Sequence, residues 1–433
     1  MGRKNIYDTD FWYNFLRPGV DWCIRRSYRK IQISGAGNIP TDGAVLLTPN
    51  HTNTLMDALV VLQADSSPKV FGARADLFNK KFIADFMSFA RILPMVRQRD
   101  GLRNVLKNHE SFETIVKTLE SGMTFCLYTE GRHRPAHSLL PLGKGITRAA
   151  VAANDKFGKN KPVYIVPVGI EYGDYYRYRS TCLVSFGKPI NVTEFISNLN
   201  VENEAQIMDP LRKELQKRMS ELITYIPDDE NLAAKWSLTK ILAIDFKSSD
   251  LQLRMQNNRT VVSSIQKAME EHPEEMTSIL EDAAKFDKDR KKAGISIFSF
   301  RKKNSPAKIF GKGLLALTGL PYYLYSLVAA LPMWLTATLL RGKIRDKAFG
   351  NTVSFGIKLG LGMIWYPIVI ALAFIFAPWK IALVISLLAI PTYNYFYDYN
   401  EFVRRLISDV RLWGQKDLRK RFKNIRKAFS NLK

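Results

Sequence analysis

Five short apolar runs separated by amphipathic stretches set the main limit on how residues 45–186 can fold. Residues 45–48, 70–73, 124–129, 163–168 and 182–186 read as strands. Their alternation with helical patterns argues an α/β domain, a mainly central β-sheet flanked by helices. Between the second and third runs, Leu102, Val105, Phe112, Val116 and Leu119 recur at spacings of three, four and seven. Residues 102–121 are therefore expected to form an amphipathic helix ending at Gly122. His109 lies on its apolar face and reads as a core or boundary residue.

From about residue 201 the pattern becomes polar and helical, with runs at 210–226 and 263–292 and no strand signal. This stretch carries no visible chemistry and is read as a helical arm or linker. After Gly311 the composition changes again. Residues 313–340, 359–377 and 381–396 are of membrane length or nearly so. The last two are joined by Pro378, Trp379 and Lys380, which suggests a helical hairpin. The first is flanked by cations at both ends and holds Pro321 and Pro332, so a re-entrant pair of half-helices is as good a reading as one span. The expected division is an N-terminal interfacial segment at 1–30, a catalytic domain at 31–200, the helical arm at 201–305, membrane-embedded helices at 306–400 and a basic tail at 401–433.

The formal charge of +24 points to an anionic partner. Its placement narrows the class: residues 401–433 hold eleven Lys or Arg against three acids, a net of +8 beside the apolar helices. Anionic lipid headgroups fit that placement better than nucleic acid does, although a merely solvated basic helix has the same composition. The three cysteines, Cys23, Cys126 and Cys182, suggest neither a disulfide framework nor a zinc site. Residues 1–30 show no apolar stretch followed by a small-residue cleavage site, so the chain is expected to be an integral membrane protein with its catalytic part on the cytosolic face.

Four clusters carry candidate chemistry. The first strand ends in Asn50 and His51, with Asp57 six residues on, at the start of an apolar helix. A histidine at a strand exit is where open α/β sheets place working groups. A base and a carboxylate orienting its imidazole are what transfer to a hydroxyl needs. At about 100° per residue, positions six apart do not share a helix face, so the pair must meet across a turn before the helix. The second cluster, with Arg97 and Arg99 beside Gly101, is a phosphate clamp or a solvated turn with a local Arg99 and Asp100 pair. The third runs from Glu130, Gly131 and Arg132 through His133 to Lys144. Glu130 could accept hydrogen bonds from substrate hydroxyls while cations hold phosphate, or it could only pair with Arg97 or Arg132. His133 and His137 could be exposed loop residues, the reading preferred for His137. The fourth is an apolar strand containing Pro167, core or groove wall.

In this order the four clusters, over residues 28–192, resemble the glycerolipid acyltransferase family that includes lysophosphatidate and glycerol-3-phosphate acyltransferases. The resemblance implies that His51 is the base and Asp57 its orienting carboxylate. It also implies that Asn50, Arg97, Glu130, Gly131, Arg132, Lys144 and Pro167 belong to the substrate-binding set. The commonest family form has four residues between the motif His and Asp. Here there are five, similar to a subgroup with C-terminal membrane helices. Tyr128 and Thr129 replace the usual Phe and Pro before Glu130 and Gly131, and His133 takes the place of a family arginine between Arg132 and Arg134. The implied reaction is direct acyl transfer from acyl-CoA or acyl carrier protein to glycerol 3-phosphate or its 1-acyl derivative, with no metal, cofactor or acyl-enzyme. Another lysolipid or amino-lipid acceptor, or a non-catalytic lipid-binding protein, is the alternative. A hydrolase or nucleotide enzyme is disfavoured, because no Gly-x-Ser-x-Gly elbow exists and Gly143, Lys144 and Gly145 lack the rest of a phosphate loop.

Overall fold

The structure, a computed structural model, describes residues 5–95, 105–199, 203–246, 248–301 and 305–432. It divides into two compact units: Met1–Arg25, Lys30–Tyr175 and Thr181–Ile223 form the first, and Arg26–Arg29, Tyr176–Ser180 and Thr224–Lys433 the second.

The first unit is built on a sheet of eight strands among the described residues: β1 (Lys30–Ser34), β2 (Ala44–Pro49), β3 (Lys69–Arg74), β4 (Ile92–Met95), β5 (Thr124–Leu127), β6 (Val163–Tyr172), β7 (Thr181–Phe186) and β8 (Ile190–Asn191). The spatial order is β1-β7-β6-β2-β5-β3-β4, with β8 also on β6. From β6 through β4 every neighbouring pair is parallel, whereas β7 and β8 run antiparallel to β6. β2 is buried along its whole length and β6 nearly so, as expected of parallel strands covered on both faces. The helices of this chain segment are α1 (Phe11–Ser27), α2 (Leu55–Ala64), α3 (Lys81–Phe89), α4 (Val105–Glu120), α5 (Gly145–Phe157), α6 (Val192–Leu199) and α7 (Glu204–Glu221).

All five expected strands are present. The sequence reading missed β1, β4 and β8. β4 is four residues interrupted by Pro94, and β8 is two residues, both too short for an alternation signal. Pro167 sits inside central β6, an unusual place for a residue without an N–H. Its carbonyl accepts from Gly187 N, so its nitrogen faces the same side. There β6 pairs β8 at residues 164–165 and β7 from 168 onward, leaving a gap in which no ladder donor is needed.

The second unit is helical: α8 (Leu232–Leu242), α9 (Leu251–Glu271), α10 (Pro273–Lys292), α11 (Pro306–Ala329), α12 (Leu331–Lys343), α13 (Gly350–Phe376), α14 (Trp379–Ala389), α15 (Thr392–Arg411) and α16 (Lys416–Ser430). The continuous helix expected at 263–292 is in fact split between α9 and α10. Pro273 removes a donor and opens a new first turn, reinforced by Glu274 and Glu275 there and by Arg290, Lys291 and Lys292 at the far end. Side-chain caps start other helices: Asp250 accepts from Gln252 N and Leu253 N, and Ser305 from Lys308 N.

Residues 347–376 form one helix long and apolar enough to cross a membrane, and only 11% of its most apolar stretch is buried. Met363, Ile364, Ile375 and Phe376 on this helix are all exposed. α11 and α12 pass the same test only as a pair, bent by 77° at Ala330. The second hairpin arm is shorter than expected: α14 ends at Ala389 before Pro391, and at about 1.5 Å per residue its 11 residues cannot cross a hydrocarbon core of about 30 Å. The basic tail is not loose. Leu418, Phe422, Ile425 and Phe429, at helical spacing along α16, are buried in a core with Leu238, Ile279 and Phe286.

Candidate active site

The parallel register of β2 and β5 brings two strand exits together. Leu46 pairs with Phe125 and Leu47 with Cys126, so His51 and Glu130, each four residues beyond the last of these partners, leave the sheet at the same level. Asn50 fixes the exit of β2. Its Nδ2 donates to Ile170 O at 3.1 Å and its Oδ1 accepts from Ile170 N at 2.6 Å, extending the β2–β6 ladder by one side chain. Asn50 was expected among the substrate contacts. Its two amide groups are instead committed to the backbone that aims His51.

His51 Nδ1 and Asp57 Oδ2 are 2.8 Å apart. They meet across a turn ahead of α2, with Asp57 in that helix's first turn. Asp57 is fully buried, and its charge is compensated locally: Thr52 N and Asn53 N donate to Oδ2 at 2.8 and 2.7 Å, and Tyr172 Oη donates to Oδ1 at 2.8 Å. The helix N-terminus adds a favourable dipole. An ionised Asp57 accepts from Nδ1–H, which leaves Nε2 as the basic nitrogen. The His51 side chain keeps 19% of its surface exposed, so a substrate can reach the ring.

The turn itself is strained. Thr54 adopts φ 49° and ψ −129°, and Asn53 O accepts from Met56 N at 3.0 Å. This is the first central position of a type II′ turn, where glycine is the usual occupant and a β-branched residue an outlier. The tight turn lets five intervening residues bring the His and the Asp together.

Glu130 ties this loop to its neighbour. Its Oε1 accepts from His51 N at 2.8 Å and its Oε2 from Leu140 N at 2.9 Å. Burial pushes its carboxyl above the usual range, and the two N–H donors only partly offset this. Among the described residues Glu130 makes no ion pair, so neither pairing considered for it with Arg132 nor a free carboxylate is seen. Gly131 takes φ 67°, a left-handed conformation that turns the chain back after Glu130. Arg132 is exposed beside it, as is Lys144 at the N-terminus of α5. Gly143 N donates to Thr129 O at 2.8 Å, and a Cβ on Gly145 would touch Leu127, so the loop bearing Lys144 packs on the end of β5. Pro167 stands opposite Thr48 in the ladder, its ring against Gly187 and beside Leu222. Arg97 lies outside the described residues.

Sequence reasoning missed Tyr172 and Tyr175 and named Tyr128 only as a replacement in the third cluster. Tyr172, buried at the end of β6, holds the second oxygen of Asp57. Tyr175 O accepts from Asn53 Nδ2 at 3.1 Å, and the Tyr128 ring packs 4.5 Å from that of His51. No spacing rule links Tyr172 to Asp57, 115 residues earlier; only the sheet order does. The histidine reading needs correction. His133 is half-buried with its ring 5.6 Å from His51, and His137 is buried against Tyr175, because the loop after Gly131 folds inward.

A histidine held by a carboxylate at the carboxyl edge of a parallel sheet has the arrangement that general-base transfer to a hydroxyl requires. Residues 30–171 match the Acyltransferase family model. Glycerol-3-phosphate O-acyltransferase 1 of Saccharomyces cerevisiae is 27% identical over 139 residues, which are 31% of this chain and 18% of that enzyme. This chain therefore spans less than a fifth of the relative. The structure of the 1-acyl-sn-glycerophosphate acyltransferase PlsC from Thermotoga maritima aligns over 48% of this chain and 80% of its own, with 16% identity and a TM-score of 0.35. Residues 30–171 thus carry the region that the Acyltransferase model describes, about a third of the chain.

Proposed function

We propose that the chain transfers a fatty acyl group from a thioester donor, acyl-CoA or acyl carrier protein, to a hydroxyl of glycerol 3-phosphate or 1-acylglycerol 3-phosphate in phospholipid biosynthesis. The observation that carries the reading is the 2.8 Å contact between His51 Nδ1 and a fully buried, four-donor Asp57. In the proposed step, His51 Nε2 takes the hydroxyl proton as the oxygen attacks the thioester carbonyl. The C–S bond breaks, and the proton returns to the departing thiolate. General-base assistance of this kind is worth about 10² to 10⁴ in rate, and positioning of donor and acceptor supplies much of the rest. Exposed Arg132 and Lys144, both on loops beyond the end of β5, are the described cations suited to the acceptor's phosphate, and Arg97 is proposed to join them. The apolar helices of residues 306–400 are proposed to hold the protein in a membrane, with anionic lipids as partners of its cations and the catalytic segment on the cytosolic face.

Another lysolipid or amino-lipid acceptor is the second reading, favoured by His133, which stands where the resemblance expects an arginine. The experiment is acyl transfer by the detergent-purified full chain and by His51→Ala, with labelled acyl-CoA or acyl carrier protein and each acceptor offered separately. The expected result is that wild type acylates one glycerophosphate acceptor and His51→Ala loses about 10² to 10⁴ of that rate. A fully active His51→Ala protein would sink the mechanism. Activity only on other lysolipids would move the second reading ahead.

A further inference from the structure

At the start of α11 the second unit holds a cavity of about 570 Å³, lined by residues 299–301, the first turn of α11, the end of α15 with the residues that follow it, and one face of α16. Its walls are of two kinds. Phe300, Ile309, Leu412 and Phe422, each less than 10% exposed, form its apolar floor, and Trp413 stands exposed at the edge. Arg301, Arg419, Lys423 and Arg426 supply four cations.

The charges are not balanced from within. The one acid in the lining, Asp409, is bound to Lys312 Nζ at 2.6 Å. Arg426 is paired with Asp245 at 2.7 Å. Among the described residues, Arg419 and Lys423 have no carboxylate within ion-pair distance. Arg301 donates through Nε to Ile244 O, and burial together with nearby Arg405 pushes its pKa down. Crowded, partly buried guanidinium groups of this kind are relieved by an anion.

Position selects among anions. α11 begins at the cavity and immediately continues into exposed apolar surface, with Phe310, Leu314, Leu315 and Leu317 all more than half exposed. A helix entering a bilayer in this way carries its first turn, and the cavity with it, at the level of the headgroups. A soluble phosphate would use the cations and leave exposed Trp413 at the cavity mouth without a partner. An amphiphile would use both.

We propose that this cavity binds an anionic membrane phospholipid, its headgroup phosphate between Arg301, Arg419 and Lys423 and the upper part of an acyl chain against Ile309 and Trp413. Binding there would hold α16 and the entry of α11 to the bilayer surface, at a site separate from His51 and independent of the acyl-transfer reading.

The test is calorimetric titration, without turnover, of the detergent-solubilised full chain with dihexanoylphosphatidylglycerol, dihexanoylphosphatidylcholine and inorganic phosphate. The glycerol lipid is expected to bind, the choline lipid to bind more weakly, and inorganic phosphate to compete poorly. Arg419→Gln with Lys423→Gln should weaken Kd by roughly 30-fold, the loss of two cation contacts. The charge-conserving exchange Arg419→Lys with Lys423→Arg should retain binding, which separates lost charge from lost folding. In Trp413→Phe, a lipid-induced change in tryptophan emission should disappear. Unchanged affinity in the double Gln protein, or inorganic phosphate binding as tightly as the glycerol lipid, overturns the proposal.

Discussion

Tyr172 shows how much of the candidate site depends on one oxygen. Its hydroxyl donates to Asp57 Oδ1, while Oδ2 serves His51 and two backbone N–H groups. Tyr172→Phe leaves a fully buried carboxylate oxygen short of a donor, a defect of about 1 to 3 kcal/mol. If Asp57 orients the base, part of that loss falls on the transition state, so kcat should drop about 5- to 30-fold with the acceptor KM nearly unchanged. Steady-state kinetics of the purified variant checks this. A kcat equal to wild type would remove Tyr172 from the positioning set. Thr54 acts differently, through backbone: a side chain held at φ 49° stores about 1 to 3 kcal/mol, and it sits where the loop must accommodate five residues between His51 and Asp57.

At the scale of elements, the helix of residues 347–376 divides the membrane reading from a soluble one. Ile364 lies near its middle and is 62% exposed. Facing water, Ile364→Arg would be an ordinary surface change, within about 0.5 kcal/mol. Facing lipid it costs about 2.5 to 3.5 kcal/mol for a centrally placed arginine. We therefore expect Ile364→Arg to shift the protein from the carbonate-resistant membrane fraction toward the soluble or degraded fraction, and an unchanged distribution would count against a spanning helix. The same scale shows what the sequence made legible. β2, β5 and β6 were readable because strands buried on both faces are continuous apolar runs, and the His51 and Asp57 pair because both flank one short turn. β1, β4 and β8 were hidden, since pairing with distant neighbours, and not local pattern, makes them strands. Asn50 and Glu130 were readable as polar residues at strand exits, but not as backbone ties, because Ile170 lies 120 residues from Asn50 and His51 lies 79 residues from Glu130. The break between α14 and α15 at Pro391 was written in the chain and outweighed by the hydropathy around it.

For the whole molecule, the division into units does not follow chain order. The second unit takes in Arg26–Arg29, just before β1, and Tyr176–Ser180, between β6 and β7. α15 secures both pieces: Asp398 pairs with Arg29 and Arg179 at 2.8 and 2.7 Å, and buried Glu401 pairs with Arg177, Arg404 and Arg405. A fragment ending at residue 223 would strip Arg29, Arg177 and Arg179 of these carboxylates. Glu401 gives the arrangement a pH signature. Burial alone would raise its carboxyl, but Arg177 and the two neighbouring arginines hold it below the ordinary value of 4.5. A carboxyl depressed in the folded state contributes stability above its unfolded pKa, and that contribution is lost as pH falls through the folded value. Glu401→Gln should therefore melt below wild type at pH 7, and the gap should close as pH is lowered past about 4.5. Arg177→Ala removes one of three partners from a 5% exposed carboxylate. Because the guanidinium itself keeps 25% of its surface in water, the cost should be roughly 1 to 3 kcal/mol, below that of a fully buried pair. Thermal unfolding of the three detergent-solubilised proteins between pH 7 and 3 measures both effects, and a gap between wild type and Glu401→Gln that stays constant with pH would show that the carboxyl is not held by its arginines.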